Sequence, residues 1–378
     1  MKVLVIHSAS SSEHPPVISL CRDLLKLGHS VTLLTRGSSG VTAAFLDDPS
    51  FELLDFGTRP LGHERLAFDF RCDRETERFC RQNAGDYDVV WTTTDLAARA
   101  CGKSLFGVKH VMQLMELAER VPLFSRRDMP LRSRVVEELA RRAFHVVVPE
   151  FNRAFIQQVW WHIPKTPVVL PNKSVVSPNS NSLEKYPEIL RQFECETRRI
   201  LLYQGVFTPD RDFHACMDAV GLLGDEYVLY LMGVSADILS KQPYLREKSE
   251  GVVLVPYVAA PDHLLFTRYG YIGLLPYQPS YHRSSPLNAL YCAPNKIWEY
   301  SKFGLPMLGS QMPALKTAFA TSGIGLTADF SNPLAIANAV RSITASWEDM
   351  SSKSRAYYDS VDTATIVERA LADPDASL

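Results

Sequence analysis

Pro294-Asn295-Lys296-Ile297-Trp298-Glu299-Tyr300-Ser301-Lys302-Phe303-Gly304-Leu305-Pro306-Met307-Leu308 is the stretch on which the reading turns. Pro294 suits the start of a helix, where its missing N–H has no partner to lose, and Gly304 followed by Pro306 marks the stop before an apolar strand. The amino end of such a helix offers unpaired N–H groups and a partial positive charge, which suit a diphosphate. Glu299 stands roughly one turn deeper, where an ionised carboxylate can accept two ribose hydroxyl hydrogen bonds. The plain alternative is a capped surface helix with a solvated carboxylate.

Working outward, apolar strands at 200–204, 228–232, 252–255, 272–275 and 307–309 alternate with helical stretches. The first half has the same rhythm. Strands are expected at 3–7, 31–35, 89–92, 110–114 and 146–148, and a helix over 17–27 stops at Gly28. Such alternation builds parallel sheets covered on both faces. With 378 residues the chain exceeds one hydrophobic core, and a proline- and asparagine-rich stretch falls between Pro164 and Glu196. The expected division is a first Rossmann-like domain over 1–170, joined by a C-terminal helix within 350–378, a linker over 171–196, and a second Rossmann-like domain over 197–350. The sheets of the two domains would face a central cleft, where ligands of open α/β sheets bind.

Composition narrows the function classes. Forty basic and 42 acidic residues leave a formal charge of -2, so no strong field favours nucleic acid as a partner. Seven scattered cysteines without a C-x-x-C pair read as reduced thiols of a cytoplasmic protein. No signal segment is evident at Met1, and the longest apolar run, 252–261, is about half of what spans a bilayer. Membrane contact would therefore be peripheral, at the inner face. Arg120, Arg126, Arg127, Arg132, Arg134, Arg141 and Arg142 could supply it by facing anionic lipid, although a solvated helix face is the commoner origin of such a run. The histidines show no metal-ligand spacing, so no metal site is expected.

The 294–308 stretch resembles the donor-site segment of the retaining GT-B glycosyltransferases of family four. In a P-N-K-x-x-E-Y variant of that segment, Pro294, Asn295, Lys296, Glu299 and Tyr300 match position by position, and Gly304 and Pro306 fall on the turn. Tyr291 stands where the usual first glutamate would be. A second stretch, Ile200-Leu201-Leu202-Tyr203-Gln204-Gly205-Val206-Phe207-Thr208-Pro209-Asp210-Arg211, resembles the family's strand and G-R-x-x-x-x-K turn, with Val206 in place of the arginine and Arg211 in place of the lysine. The resemblance implies transfer of a sugar with retention from a UDP- or GDP-linked donor to a glycan, lipid-linked or small-molecule hydroxyl, without cofactor. It places Gly205, Arg211, Tyr257, Val258, Asn288, Pro294, Asn295, Lys296 and Glu299 at the donor, with Arg211 and Lys296 neutralising the leaving diphosphate.

Candidates in the first domain are less specific. The loop with Ser10, Ser11 and Ser12 follows the first strand, where it could contact an acceptor or simply form a polar turn. Glu116 could activate an acceptor hydroxyl or merely pair with a cation, and Met115 stands where many family members carry a histidine. Two rivals share the fold: a nucleotide-sugar 2-epimerase, which interconverts the donor, and a silent nucleotide-sugar binding protein, which turns nothing over. The only D-x-D of the second domain, Asp210-Arg211-Asp212, sets a cation between its carboxylates. A chelator is therefore expected to leave turnover intact. Abolition with rescue by manganese or magnesium would overturn the metal-free expectation.

Overall fold

The structure, a computed structural model, describes residues 1–10, 14–38, 43–60, 62–118, 130–175, 177–178, 180–208, 211–246, 251–279 and 285–372. Two compact units divide the chain: Met1–Val176 with Asp362–Leu378, and Ser177–Val361.

The first unit opens with β1 (Lys2–Ile6), α1 (Pro15–Lys26), β2 (Ser30–Thr35), α2 (Ala43–Leu46), β3 (Phe51–Asp55) and α3 (Glu64–Asn83). It continues through β4 (Val89–Thr92), α4 (Asp95–Cys101), β5 (His110–Gln113), α5 (Pro130–Arg142), β6 (His145–Val148), α6 (Phe151–Trp161) and β7 (Val168–Val169). These strands form one parallel sheet in the order β3-β2-β1-β4-β5-β6-β7. Val3, Leu4, Val5 and Ile6 are all buried because helices cover both faces, which is why β1 is an unbroken apolar run. Gly28, at φ +77°, turns the chain from α1 into β2.

The second unit contains α7 (Pro187–Glu194), β8 (Arg199–Gln204), α8 (His214–Leu223), β9 (Tyr227–Val234), α9 (Ala236–Lys241), β10 (Val252–Pro256), α10 (Leu264–Thr267) and β11 (Ile272–Leu275). There follow α11 (Pro286–Leu290), α12 (Asn295–Lys302), β12 (Met307–Ser310), α13 (Pro313–Ser322), β13 (Gly325–Ala328), α14 (Pro333–Ala345) and α15 (Trp347–Asp359). Its parallel sheet runs β10-β9-β8-β11-β12-β13. The chain then returns to the first unit through α16 (Thr363–Leu371). Within the expected connector 171–196 lies α7, whose Phe193 is buried in the core of the second unit, so these residues do more than join two domains.

The strands at 89–92 and 272–275 fall where the periodicity puts them, whereas Phe51–Asp55 and Gly325–Ala328 are additions that it misses. The first carries acids at Glu52 and Asp55 and is only partly buried, and the second is four residues with a glycine at its head, so neither makes a clear apolar run. All seven cysteines are free thiols. No described helix is long and apolar enough to cross a membrane. Of the arginine run, Arg120, Arg126 and Arg127 lie outside the described residues; at the end of α5, Arg141 pairs with Glu137 at 3.1 Å and Arg142 with Glu138, so those two charges are matched locally.

One contact fixes how α12 lies on its sheet. The Tyr300 ring covers Gly273 of β11 so closely that a Cβ there would sit 2.3 Å from Tyr300 Cδ2. The Tyr300 hydroxyl also donates to the Leu202 carbonyl at 3.1 Å. Gly273→Ala is therefore expected to lower the free energy of unfolding by about 1–3 kcal/mol, the usual cost of overpacking a core. Urea denaturation checks this; unchanged stability would mean that α12 does not depend on that contact.

Candidate functional site

The carboxyl ends of the central strands in the second unit bring together the residues singled out at 204–211 and 294–299. Gln204 ends β8, and Gly205 follows at φ +131°, a conformation that side-chain-bearing residues rarely adopt. A Cβ on Gly205 would lie 2.7 Å from Lys296 Nζ, so the bare glycine is what lets the ammonium approach the backbone. Lys296 Nζ also lies 5.2 Å from the centroid of the Tyr203 ring. The helix α12 that carries Lys296 begins at Asn295 with Pro294 at its N-cap, and no side chain caps it.

Glu299 is 7% exposed, which removes the solvated-carboxylate alternative. One of its oxygens accepts from Gln204 Nε2 at 3.3 Å, and the other lies 3.3 Å from His263 Nε2. Thr267 donates to Gln204 Oε1 at 2.8 Å and so fixes which end of the amide faces Glu299. Burial alone would push the Glu299 carboxyl up, but His263, Lys296 and Gln204 together hold it below its ordinary range. It is thus a buried, ionised and oriented carboxylate. Gln204, His263 and Thr267 were not among the candidates from sequence; they are polar residues at a strand end and around a short helix, and only the tertiary fold shows what they face.

Arg211 is more firmly seated than a turn arginine need be. Its guanidinium lies 4.9 Å from the centroid of the buried Tyr277 ring and donates to the Thr208 hydroxyl, and its backbone bridges that of Tyr277. Tyr257 is 56% exposed, whereas the side chain of its neighbour Val258 is buried in the core, leaving only backbone at that position to meet a ligand. Asn288 is half-buried on α11, and Tyr291 follows at the C-cap of that helix. Elsewhere in this unit a cavity of about 660 Å³ lies against Arg199, Tyr271 and Trp347, at the amino ends of β8 and β11. Ligands of open α/β sheets bind at the opposite ends.

In the first unit, Ser10 lies beyond β1 and Glu116 beyond β5. The Ser10 hydroxyl is 3.5 Å from the Gly37 carbonyl, at the limit of a hydrogen bond. The Glu116 side chain is 70% exposed, with Arg153 Nη1 at 3.9 Å. Met115 is buried, and its carbonyl accepts from Arg153 at 3.0 Å. Ser11 and Ser12 lie outside the described residues. No group of three or more His, Cys, Asp or Glu side chains that could hold a metal occurs among the described residues.

No family model and no curated protein matches the sequence. Solved structures match the fold throughout. Anabaena HepE in complex with UDP and glucose aligns over 100% of both chains with a TM-score of 0.67 and 15% identity. WaaG, a glycosyltransferase involved in lipopolysaccharide biosynthesis, aligns over 98% of both chains with a TM-score of 0.62 and 15% identity. A Listeria monocytogenes protein assigned as a UDP-N-acetylglucosamine 2-epimerase aligns over 98% of this chain and 94% of its own, with a TM-score of 0.63 and 16% identity. The chain has the two parallel-sheet, Rossmann-like domains of the GT-B glycosyltransferases.

Proposed function

We propose that this protein is a glycosyltransferase that takes a sugar from a UDP- or GDP-linked donor held by the second unit and passes it, with retention and without a metal or cofactor, to an acceptor hydroxyl held by the first. The observation that carries the reading is the conjunction at the start of α12: a lysine ammonium against the bare backbone of Gly205, and one turn deeper a buried carboxylate held ionised by three partners. A diphosphate suits the uncapped helix start and the ammonium, and a ribose suits the remaining lone pairs of Glu299. The complex of HepE with UDP and glucose supports a nucleotide-sugar ligand for this fold.

In this mechanism Arg211 and Lys296 stabilise charge building on the departing diphosphate, and Glu299 orients the nucleoside. The Listeria neighbour favours a second reading, interconversion of the donor sugar itself. Titration of UDP, GDP and UDP-glucose followed by product analysis separates the two. Nucleoside diphosphate binding with sugar transfer supports the proposal, an epimerised donor supports the rival, and failure of every nucleotide to bind overturns both.

Two substitutions test the roles. Glu299→Gln is expected to weaken UDP binding by about 1.5–3 kcal/mol, the worth of hydrogen bonds to a charged acceptor; an affinity within twofold of the native value, measured by calorimetry, would sink the ribose assignment. Arg211→Ala is expected to slow transfer at saturating donor by about a hundredfold, as removal of one donor to developing oxyanion charge does. Because the guanidinium packs on Tyr277, the same change should also cost roughly 0.5–1 kcal/mol of stability. Arg211→Lys should recover part of the rate, and normal turnover in Arg211→Ala would refute the role.

A further inference from the structure

Of the three residues that arrange the surroundings of Glu299, two come from a single turn of helix. His263 stands in helical conformation at the head of α10 and Thr267 ends that helix, so the two lie four residues apart on one face. Leu264, Leu265 and Phe266 between them are buried, which fastens the turn to the core. From that face His263 Nε2 lies 3.3 Å from Glu299 Oε1. The Thr267 hydroxyl donates to Gln204 Oε1 at 2.8 Å, and Gln204 Nε2 in turn donates to Glu299 Oε2 at 3.3 Å. One turn thus grips both oxygens of the carboxylate, the first directly and the second through an amide.

The chemistry of these atoms limits what each can do. An ionised carboxylate only accepts, so His263 Nε2 carries a proton. Nδ1 of the same ring is buried and has no hydrogen-bond partner among the described residues. A second proton there would make an imidazolium with a buried, unanswered N–H, and a charged group left unsatisfied costs more than a neutral one. His263 therefore serves as a neutral donor, and the negative charge stays on Glu299. A carboxylate has about four lone-pair sites. His263 takes one on Oε1 and Gln204 one on Oε2, and no other hydrogen bond to either oxygen occurs among the described residues. One site is left on each oxygen, and the carboxylate cannot turn about its Cγ–Cδ bond without giving up the donors that hold it.

We propose that α10 makes this site selective for a ribonucleoside diphosphate over its deoxy forms, with His263 and Thr267 as positioning residues that act through Glu299. The inference rests on the nucleotide reading of the site. The two neighbouring hydroxyls of a ribose are two donors side by side, and the sites left on Glu299 accept one from each. Loss of either hydroxyl strands a lone pair of a buried charge. The selectivity belongs to the grip as much as to the carboxylate. Without the His263 donor, burial is opposed only by Lys296 and Gln204, so the carboxyl moves toward its protonated form and Oε1 loses its fixed direction. Without the Thr267 hydroxyl, the Gln204 amide is free to turn its own oxygen toward Glu299.

Calorimetry on the full chain tests this with UDP, or GDP where the native protein prefers it, each beside its 2′-deoxy and 3′-deoxy forms. The native protein should bind each deoxy form about tenfold or more weakly than the parent, the worth of one hydrogen bond to a charged acceptor. His263→Phe keeps an aromatic ring but cannot donate, so it should bring the affinities within about threefold of one another. His263→Gln puts an amide N–H in place of Nε2–H and cannot be charged, so it should restore the preference. Thr267→Val should cut the preference severalfold, and Thr267→Ser should restore it. A purely structural role predicts a different pattern, parent and deoxy forms weakened alike with the preference intact, and that result overturns the proposal. Failure of His263→Gln to restore the preference overturns it too, since the work would then belong to a charged ring. Should His263→Phe not fold, Thr267→Val and its rescue decide the matter. A native protein that binds the parent and its deoxy forms equally overturns the proposal and leaves the nucleotide reading standing, whereas one that binds no nucleotide sinks both.

Discussion

An ionised carboxylate withdrawn from water costs several kcal/mol unless donors replace its hydration, and Glu299 is such a group. Its donors come from two separate parts of the second unit, the end of β8 through Gln204 and the residue before α10 through His263. Thr267 closes the arrangement by holding the Gln204 amide in the one orientation that points its NH₂ at the carboxylate. The β8 end and the α12 start are thereby tied to each other, and Gly205 and Lys296, one residue beyond Gln204 and three before Glu299, inherit their relative position from that tie. Removing any one partner leaves a buried polar group unsatisfied, which is why the network holds as a unit.

Much of this was legible in the sequence, for reasons that differ by residue. The central strands of both sheets are largely apolar runs because both faces are covered, and such runs are plain to read, as at 89–92 and 272–275, whereas the strands at 51–55 and 325–328 are not. The α12 helix announced itself through Pro294 at one end and Gly304 at the other; it spans Asn295–Lys302, and Gly304 has the positive φ of +70° that ends it. What sequence could not show was what touches Glu299. Gln204 is 95 positions away and sits at the end of an otherwise largely apolar strand, where nothing local marks it as functional. The footing of Arg211 on Tyr277 was equally hidden, since an isolated bridge between distant residues leaves no periodicity to find.

The return of α16 gives the molecule an order of completion. Val367, Ala370 and Leu371 are buried in the same core as Val3, Val5 and Leu24, and Lys109 donates to the Leu371 carbonyl at 2.7 Å. Topologically the second unit is thus an insertion in the first: it is one continuous segment, while the first is assembled from two segments far apart in the chain. On a ribosome, where chains emerge and fold from the amino end, the second unit has all its residues before the first does. The first unit must wait with part of its apolar core open until α16 arrives. The Rossmann-like domain synthesised first is the one finished last.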